Sequence, residues 1–242
     1  MNLTVPTQNP ADTHGKYVSA VAAAIHRNPN KLKVPINLQG VAMGNGFTDP
    51  ATMTHYGPLL LQLGLVRKKE EAHMTRMHHR AVCLLKQGRG AASFDIMDSL
   101  FFGILTKETY FQKVTGFRFY YNLLNSAPPA GMRSYKTIVQ MPHVRRAIHV
   151  GDRPFSTNRT VVMSSIKKSF MSSEKGLFKL ALANYRVLVF SGMLDICVAT
   201  VGTESFSTSF SGLAGSNGST PSARRGCVPT AKSLVTSKRQ AT

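Results

Sequence analysis

Apolar residues recur at helical spacing through residues 16–28, KYVSAVAAAIHRN, where Val18, Val21, Ala22 and Ile25 share one stripe and Pro29 ends the run. The spacing predicts a short amphipathic helix. Residues 34–46, VPINLQGVAMGNG, alternate and then become continuously apolar before a Gly-Asn-Gly stop, which predicts a strand entering the centre of a sheet. A helix followed by such a strand is half of an α/β crossover. From Asp49 to about Arg133 the period changes. Residues 51–65 carry Tyr56, Leu59, Leu60 and Leu63 on one stripe, residues 67–86 read as a basic, His-rich helix, and residues 91–102 place Phe94, Ile96, Met97 and Leu100 together. This block, about residues 51–133, reads as a helical insertion, closed by the turn-rich NSAPPAG at 125–131. A helix is predicted to start at Pro142, another over 177–184, and YRVLVF at 185–190 is an apolar strand. That strand runs into Ser191-Gly-Met-Leu-Asp195, so Asp195 falls just past the carboxyl end of a buried strand, where α/β sheets place functional side chains. Beyond Glu204 no sustained period remains, and residues 205–242 read as a flexible, basic Ser/Thr/Gly-rich tail. Residues 1–13 form a polar, atypical N-terminal segment.

Composition narrows the class. With 43% hydrophobic residues in 242, the chain is too apolar to be disordered and long enough to bury a sizeable core. No apolar run reaches 18 residues, so no transmembrane segment is expected. Met1–Thr13 holds no apolar stretch of the kind a secretory signal carries, and the localisation is left open. The 30 Lys and Arg against 11 Asp and Glu leave a formal charge of +19, which suggests an anionic partner. The charge is dispersed, without an arginine-rich run or an RNA-recognition signature, so nucleic-acid binding is motivated by net charge alone.

Candidate metal chemistry is thin. Cys83, Cys197 and Cys227 form no C-x-x-C pair. His79 and Cys83 stand four apart, but two ligands are insufficient and no H-E-x-x-H accompanies them, so the helix with His73, His78 and His79 reads as a solvated basic face. Gly44-Asn45-Gly46 reads as a tight strand-ending turn in preference to a phosphate loop. Neither a metal nor a cofactor is expected. Asn2, Asn158 and Asn217 fit the N-glycosylation pattern, which matters only in a secretory pathway.

Six collinear segments carry a family resemblance. They are His14-Gly-Lys-Tyr-Val18; Ile36-Asn-Leu-Gln-Gly-Val-Ala-Met-Gly-Asn-Gly46 with Thr48-Asp-Pro50; Tyr110-Phe-Gln-Lys-Val-Thr-Gly116; Tyr120-Tyr-Asn122; Val144-Arg-Arg-Ala-Ile-His-Val-Gly151; and Asn184-Tyr-Arg-Val-Leu-Val-Phe-Ser-Gly-Met-Leu-Asp195. In this order they resemble the serine carboxypeptidase family, most closely its vitellogenic-like branch, over residues 14–204. The resemblance implies a partial α/β-hydrolase fold with a helical cap insertion. It also implies a family chemistry in which a serine attacks the C-terminal peptide bond, a histidine moves protons and an aspartate orients the histidine. Peptides would be the substrates, and secretion or a lysosomal or vacuolar compartment the family setting.

Carried over residue by residue, the resemblance makes Asp195 the triad acid. The nucleophile's register falls on Asp12, with Ala11 at the position of a substrate-binding glutamate. No G-x-S-x-G elbow occurs, and no histidine follows His149. Phe117 stands where related sequences have a cysteine after Val-Thr-Gly, so the resemblance supplies no disulfide partner for Cys83 there. The expectation is a chain truncated at both ends that keeps the triad acid without its serine or histidine and is catalytically incomplete as written. The alternative is a non-catalytic binding or regulatory protein on the same scaffold.

Overall fold

The computed structural model describes residues 14–29, 34–132, 134–156, 159–210, 222–228 and 231–237. Asp12 and Ala11 lie outside the described residues. Helix α1, His14–Arg27, leads to strand β1, Gly40–Gly44. The chain then passes through helices α2 (Pro50–Met53), α3 (Tyr56–Gln62), α4 (Lys68–Lys86), α5 (Gly90–Met97) and α6 (Tyr110–Thr115). It continues through α7 (Tyr135–Ile138), α8 (Pro142–Ala147), α9 (Arg159–Phe170) and α10 (Lys175–Asn184) to strand β2, Arg186–Gly192. Helix α11, Thr200–Thr208, follows, and then strands β3 (Ser222–Val228) and β4 (Ala231–Ser237).

The sheet order is β1-β2-β4-β3, with β1 and β2 parallel and the other pairings antiparallel. Two expectations change here. The first strand is shorter than the 34–46 run, and it stands at one end of this sheet instead of the centre. Only Gly40–Gly44 lies against the partner strand, where Val41 pairs with Val187 and Met43 with Val189; apolar alternation without a neighbour makes no ladder. The second concerns the stretch read as a flexible tail. Helix α11 continues to Thr208, and β4 (Ala231–Ser237) pairs with β2 while β3 (Ser222–Val228) pairs with β4, so β4 occupies hydrogen-bonding groups of β2 that an edge would leave unpaired.

Local chemistry explains the helix limits. The predicted 51–65 helix is broken into α2 and α3, because Pro58 has no N–H to give to the Thr54 carbonyl and its ring would crowd that group. Thr54 Oγ1 instead donates to the Pro50 carbonyl at 2.7 Å. The predicted 91–102 helix keeps an α-helical start and closes in a π-helical turn, Asp98–Phe102, ended by Gly103 at φ +62°. The Asp98 carboxylate accepts from the backbone N–H groups of Ile104 (2.6 Å), Leu105 (3.1 Å) and Thr106 (2.7 Å), which fixes the chain as it leaves the turn.

One hydrophobic core joins the sheet to the helices. Val41, Met43, Val187 and Val189 meet Phe47, Met53, Tyr56, Phe101 and Phe178 in it, so the helices between the two parallel strands share the core of the crossover. Helix α9, beyond the expected limit at residue 133, packs against α5 and continues the same helical layer. In β2 the buried side chains alternate, leaving Leu188 exposed, so the strand is covered on one face more fully than its unbroken apolar run suggested. Among the described residues no helix is long and apolar enough to cross a membrane.

Candidate functional site around Asp195

Two parallel strands bring their carboxyl ends side by side. β1 ends at Gly44, and Asn45 N–H donates to the Phe190 carbonyl of β2 at 3.0 Å. β2 ends at Gly192, and the Asp195 N–H closes a turn on the Gly192 carbonyl at 3.1 Å. The side chains of Asn45 and Asp195, 150 residues apart in sequence, meet there, with Asn45 Nδ2 donating to Asp195 Oδ2 at 2.7 Å. Asn45 Oδ1 accepts from the Gly192 N–H at 3.2 Å, so one amide grips both the aspartate and its turn. Asn45 sits at φ +45°, a left-handed conformation that asparagine tolerates better than most side chains.

Asp195 Oδ1 accepts two backbone N–H groups, Cys197 at 2.8 Å and Val198 at 3.2 Å. Behind it, the Thr200 hydroxyl donates to the Gly192 carbonyl at 3.2 Å and lies 3.1 Å from Ser191 Oγ. Burial pushes the Asp195 carboxyl up to about 6, even though the bonds from Val198, Asn45 and Cys197 favour its ionised form. Such a carboxylate is fixed in orientation and changes charge in mildly acidic solution.

The start of α1 reaches the same corner. A Cβ on Gly15 would lie 2.7 Å from the Cα of Gly46, so only glycine allows helix and turn to approach this closely. Lys16, one residue on, is buried, and its ammonium donates to the Ser172 carbonyl. Burial lowers it to about 8, against the nearby charges of Glu174 and Asp49. Asp49 pairs with Lys175 at 2.8 Å and accepts from the Thr52 hydroxyl at 2.7 Å. Burial raises the Asp49 carboxyl, but the bonds from Lys175, Thr52 and Ser173 and the Lys175 charge outweigh it and hold the group below its ordinary value.

The histidines of α4 do not all face solvent. His79 and Cys83 are exposed, but His78 is buried and stacks on His55, with ring centroids 4.7 Å apart. Thr54 Oγ1 lies 3.2 Å from His78 Nδ1. Burial, followed by the neighbouring His55 and His79, lowers His78 to about 4. Among the described residues no three His, Cys, Asp or Glu side chains are arranged to hold a metal ion. Phe117 packs near Phe111, ring centroids 6.3 Å apart, and Cys83 forms no disulfide.

A sequence model described as "serine carboxypeptidase" matches residues 14–233. The chain belongs to the serine carboxypeptidase family. The match extends past Glu204 to take in α11 and most of the β3–β4 hairpin, further than the six motifs reach. Relatives within this family include human probable serine carboxypeptidase CPVL, 36% identical over 192 residues, which are 78% of this chain and 40% of the relative. Honeybee (Apis mellifera) venom serine carboxypeptidase is 37% identical over 194 residues, covering 79% of this chain and 42% of its own length. Vitellogenic carboxypeptidase of Aedes aegypti is 33% identical over 188 residues, covering 76% and 40% respectively. The chain thus spans about two fifths of the length of these family members. Among solved structures, Kex1(delta)p, a prohormone-processing carboxypeptidase from Saccharomyces cerevisiae, superposes with a TM-score of 0.54 at 18% identity, over 80% of this chain and 45% of that one. That likeness places this member of the family in the α/β-hydrolase fold.

The sequence singles out Asp195 but not Asn45, whose Gly-Asn-Gly setting signals only a turn. Replacing Asn45 with glycine, which is free of strain at positive φ, removes its side-chain bonds alone. The Asp195 carboxyl is expected to rise further, by on the order of one pH unit. A carboxyl-carbon NMR titration of Asn45→Gly measures it, and an unchanged midpoint would remove Asn45 from this role.

Proposed function

We infer that this chain is a serine carboxypeptidase scaffold carrying the acid of a Ser-His-Asp hydrolase centre, and that its 242 residues alone do not hydrolyse peptides. The observation that carries the reading is the Asp195 carboxylate, held at the ends of two parallel strands by Asn45 and two backbone N–H groups. An aspartate fixed this way can orient a histidine and stabilise the imidazolium formed when that histidine takes the serine proton. Its peptide reaction would be the release of a C-terminal residue through an acyl-enzyme. Support for the inactive part lies in the sequence, which has no G-x-S-x-G elbow and no histidine after His149. Without a base, a weakly nucleophilic hydroxyl stays protonated and the acid has nothing to orient.

Two assays test the reading. The purified chain, incubated with an N-blocked dipeptide between pH 4.5 and 7, is expected to release no C-terminal residue above the buffer rate. Release that Asp195→Ala abolishes would overturn it. A chimaera flanking residues 14–233 with the remaining segments of the human relative is expected to hydrolyse the dipeptide, and Asp195→Asn to slow it by about 10⁴-fold.

A further inference from the structure

We propose that the cleft between α7 and the loop after α8 binds small amphipathic carboxylates, molecules with one anionic head on an apolar body. The cleft has a volume of about 670 Å³, within the roughly 300–1,000 Å³ range of small-molecule sites. Val139, Ile148 and Phe155 supply its apolar wall, and Arg145, His149 and Arg153 its polar one. No acidic residue is among the described residues that line it. Ile148 and Phe155 remain 50% and 39% exposed, so the apolar wall is open to a ligand. Tyr135 of α7 meets the Phe155 ring edge-on at 6.2 Å and steadies it.

The loop is held in a defined shape. His149 and Gly151 both adopt left-handed backbone, at φ +55° and +56°. A non-glycine residue there is disfavoured and persists only where its surroundings hold it. The holding group is Arg145, whose Nη2 donates to the carbonyls of Gly151 and Arg153. A guanidinium has five N–H donors, so Arg145 retains others for an anion, and Arg153 adds a second charge at the rim. Cations beside an unfilled apolar wall match a carboxylate with a hydrocarbon body better than an inorganic anion or a neutral lipid. This inference stands apart from the carboxypeptidase reading and fails separately from it.

Calorimetric titration with decanoate, decanol and acetate tests it on the full chain. Decanoate is expected to bind saturably below about 1 mM, with decanol and acetate each at least roughly tenfold weaker. Arg153→Gln is expected to weaken decanoate about tenfold and leave decanol unchanged, and Phe155→Ala to weaken both. Lys107→Gln removes one charge from an exposed position outside the cleft and is expected to change nothing. Absence of saturable decanoate binding would overturn the proposal. So would equal losses in Arg153→Gln and Lys107→Gln, which would reduce the effect to general attraction by net charge. Variants are first matched to the parent chain by circular dichroism, and Arg153→Lys, keeping the charge, is expected to recover binding partly.

Discussion

Phe101→Ala is expected to destabilise the protein by about 3–5 kcal/mol, the largest loss from any single truncation in the helical layer. Phe101 is fully buried in the π-helical turn and stacks on Tyr56 with ring centroids 3.7 Å apart. It also meets Phe111 at 4.8 Å and Tyr120 at 5.1 Å, so one ring joins α3, α6 and the segment that follows α6. Removing it leaves a cavity whose lining is itself rigid and aromatic, and such a site relaxes poorly. Urea unfolding of the variant measures the loss. A cost below about 1 kcal/mol would mean that the helical block is not packed as one body with the sheet.

The second large effect depends on pH, and here two buried groups oppose each other. Asp195 titrates near 6 in the folded protein against 3.8 for an exposed carboxyl. Between those values the folded chain holds a proton that the unfolded chain has released. Its contribution to stability is therefore full below about 3.8 and lost as pH rises through 6. His78 behaves in the opposite sense, with a folded value of about 4 against 6.5. Its contribution is full above 6.5 and lost as pH falls through 4.

At about 1.4 kcal/mol per pH unit of difference, allowing for partial solvent contact, each group shifts stability by about 2–3 kcal/mol across its window. The two changes nearly cancel. Replacing either group exposes the other: Asp195→Asn is expected to lose about 2–3 kcal/mol more than the parent between pH 7 and pH 4, and His78→Gln to lose correspondingly less. Urea midpoints at the two pH values decide it. Parallel pH dependences for all three proteins would refute the assigned burial of both groups.

Much of this arrangement was legible in the residues. The 3.6-residue stripe of Val18, Ala22 and Ile25 marks α1, although Val21, assigned to the same stripe, is exposed, and the long basic period marks α4, because each helix keeps one face against the core. Asp195 was legible as well. A polar residue just past an apolar strand lies where the backbone ladder stops and side chains become available for chemistry. The six collinear motifs carry the family without reference to any tertiary contact.

Other features depend on neighbours that the local pattern does not contain. The apolar run at 34–46 is longer than its strand, because a ladder extends only as far as its partner. His78 and His79 are adjacent in sequence, but one is buried against His55 and the other exposed, a difference set by how α4 packs beside α3. The pairing of β4 with β2 has no strong local period, since the edge of β2 supplies the template.

The sequence by itself thus determined the family, the helix–strand crossover and the position of Asp195 past the second strand, all of which rest on local periodicity and ordered motifs. Only the tertiary structure decided that Asn45 holds Asp195 across 150 residues. It alone also set the burial that raises Asp195 and lowers His78, because desolvation depends on what the fold places around a group and not on the residues beside it in the chain.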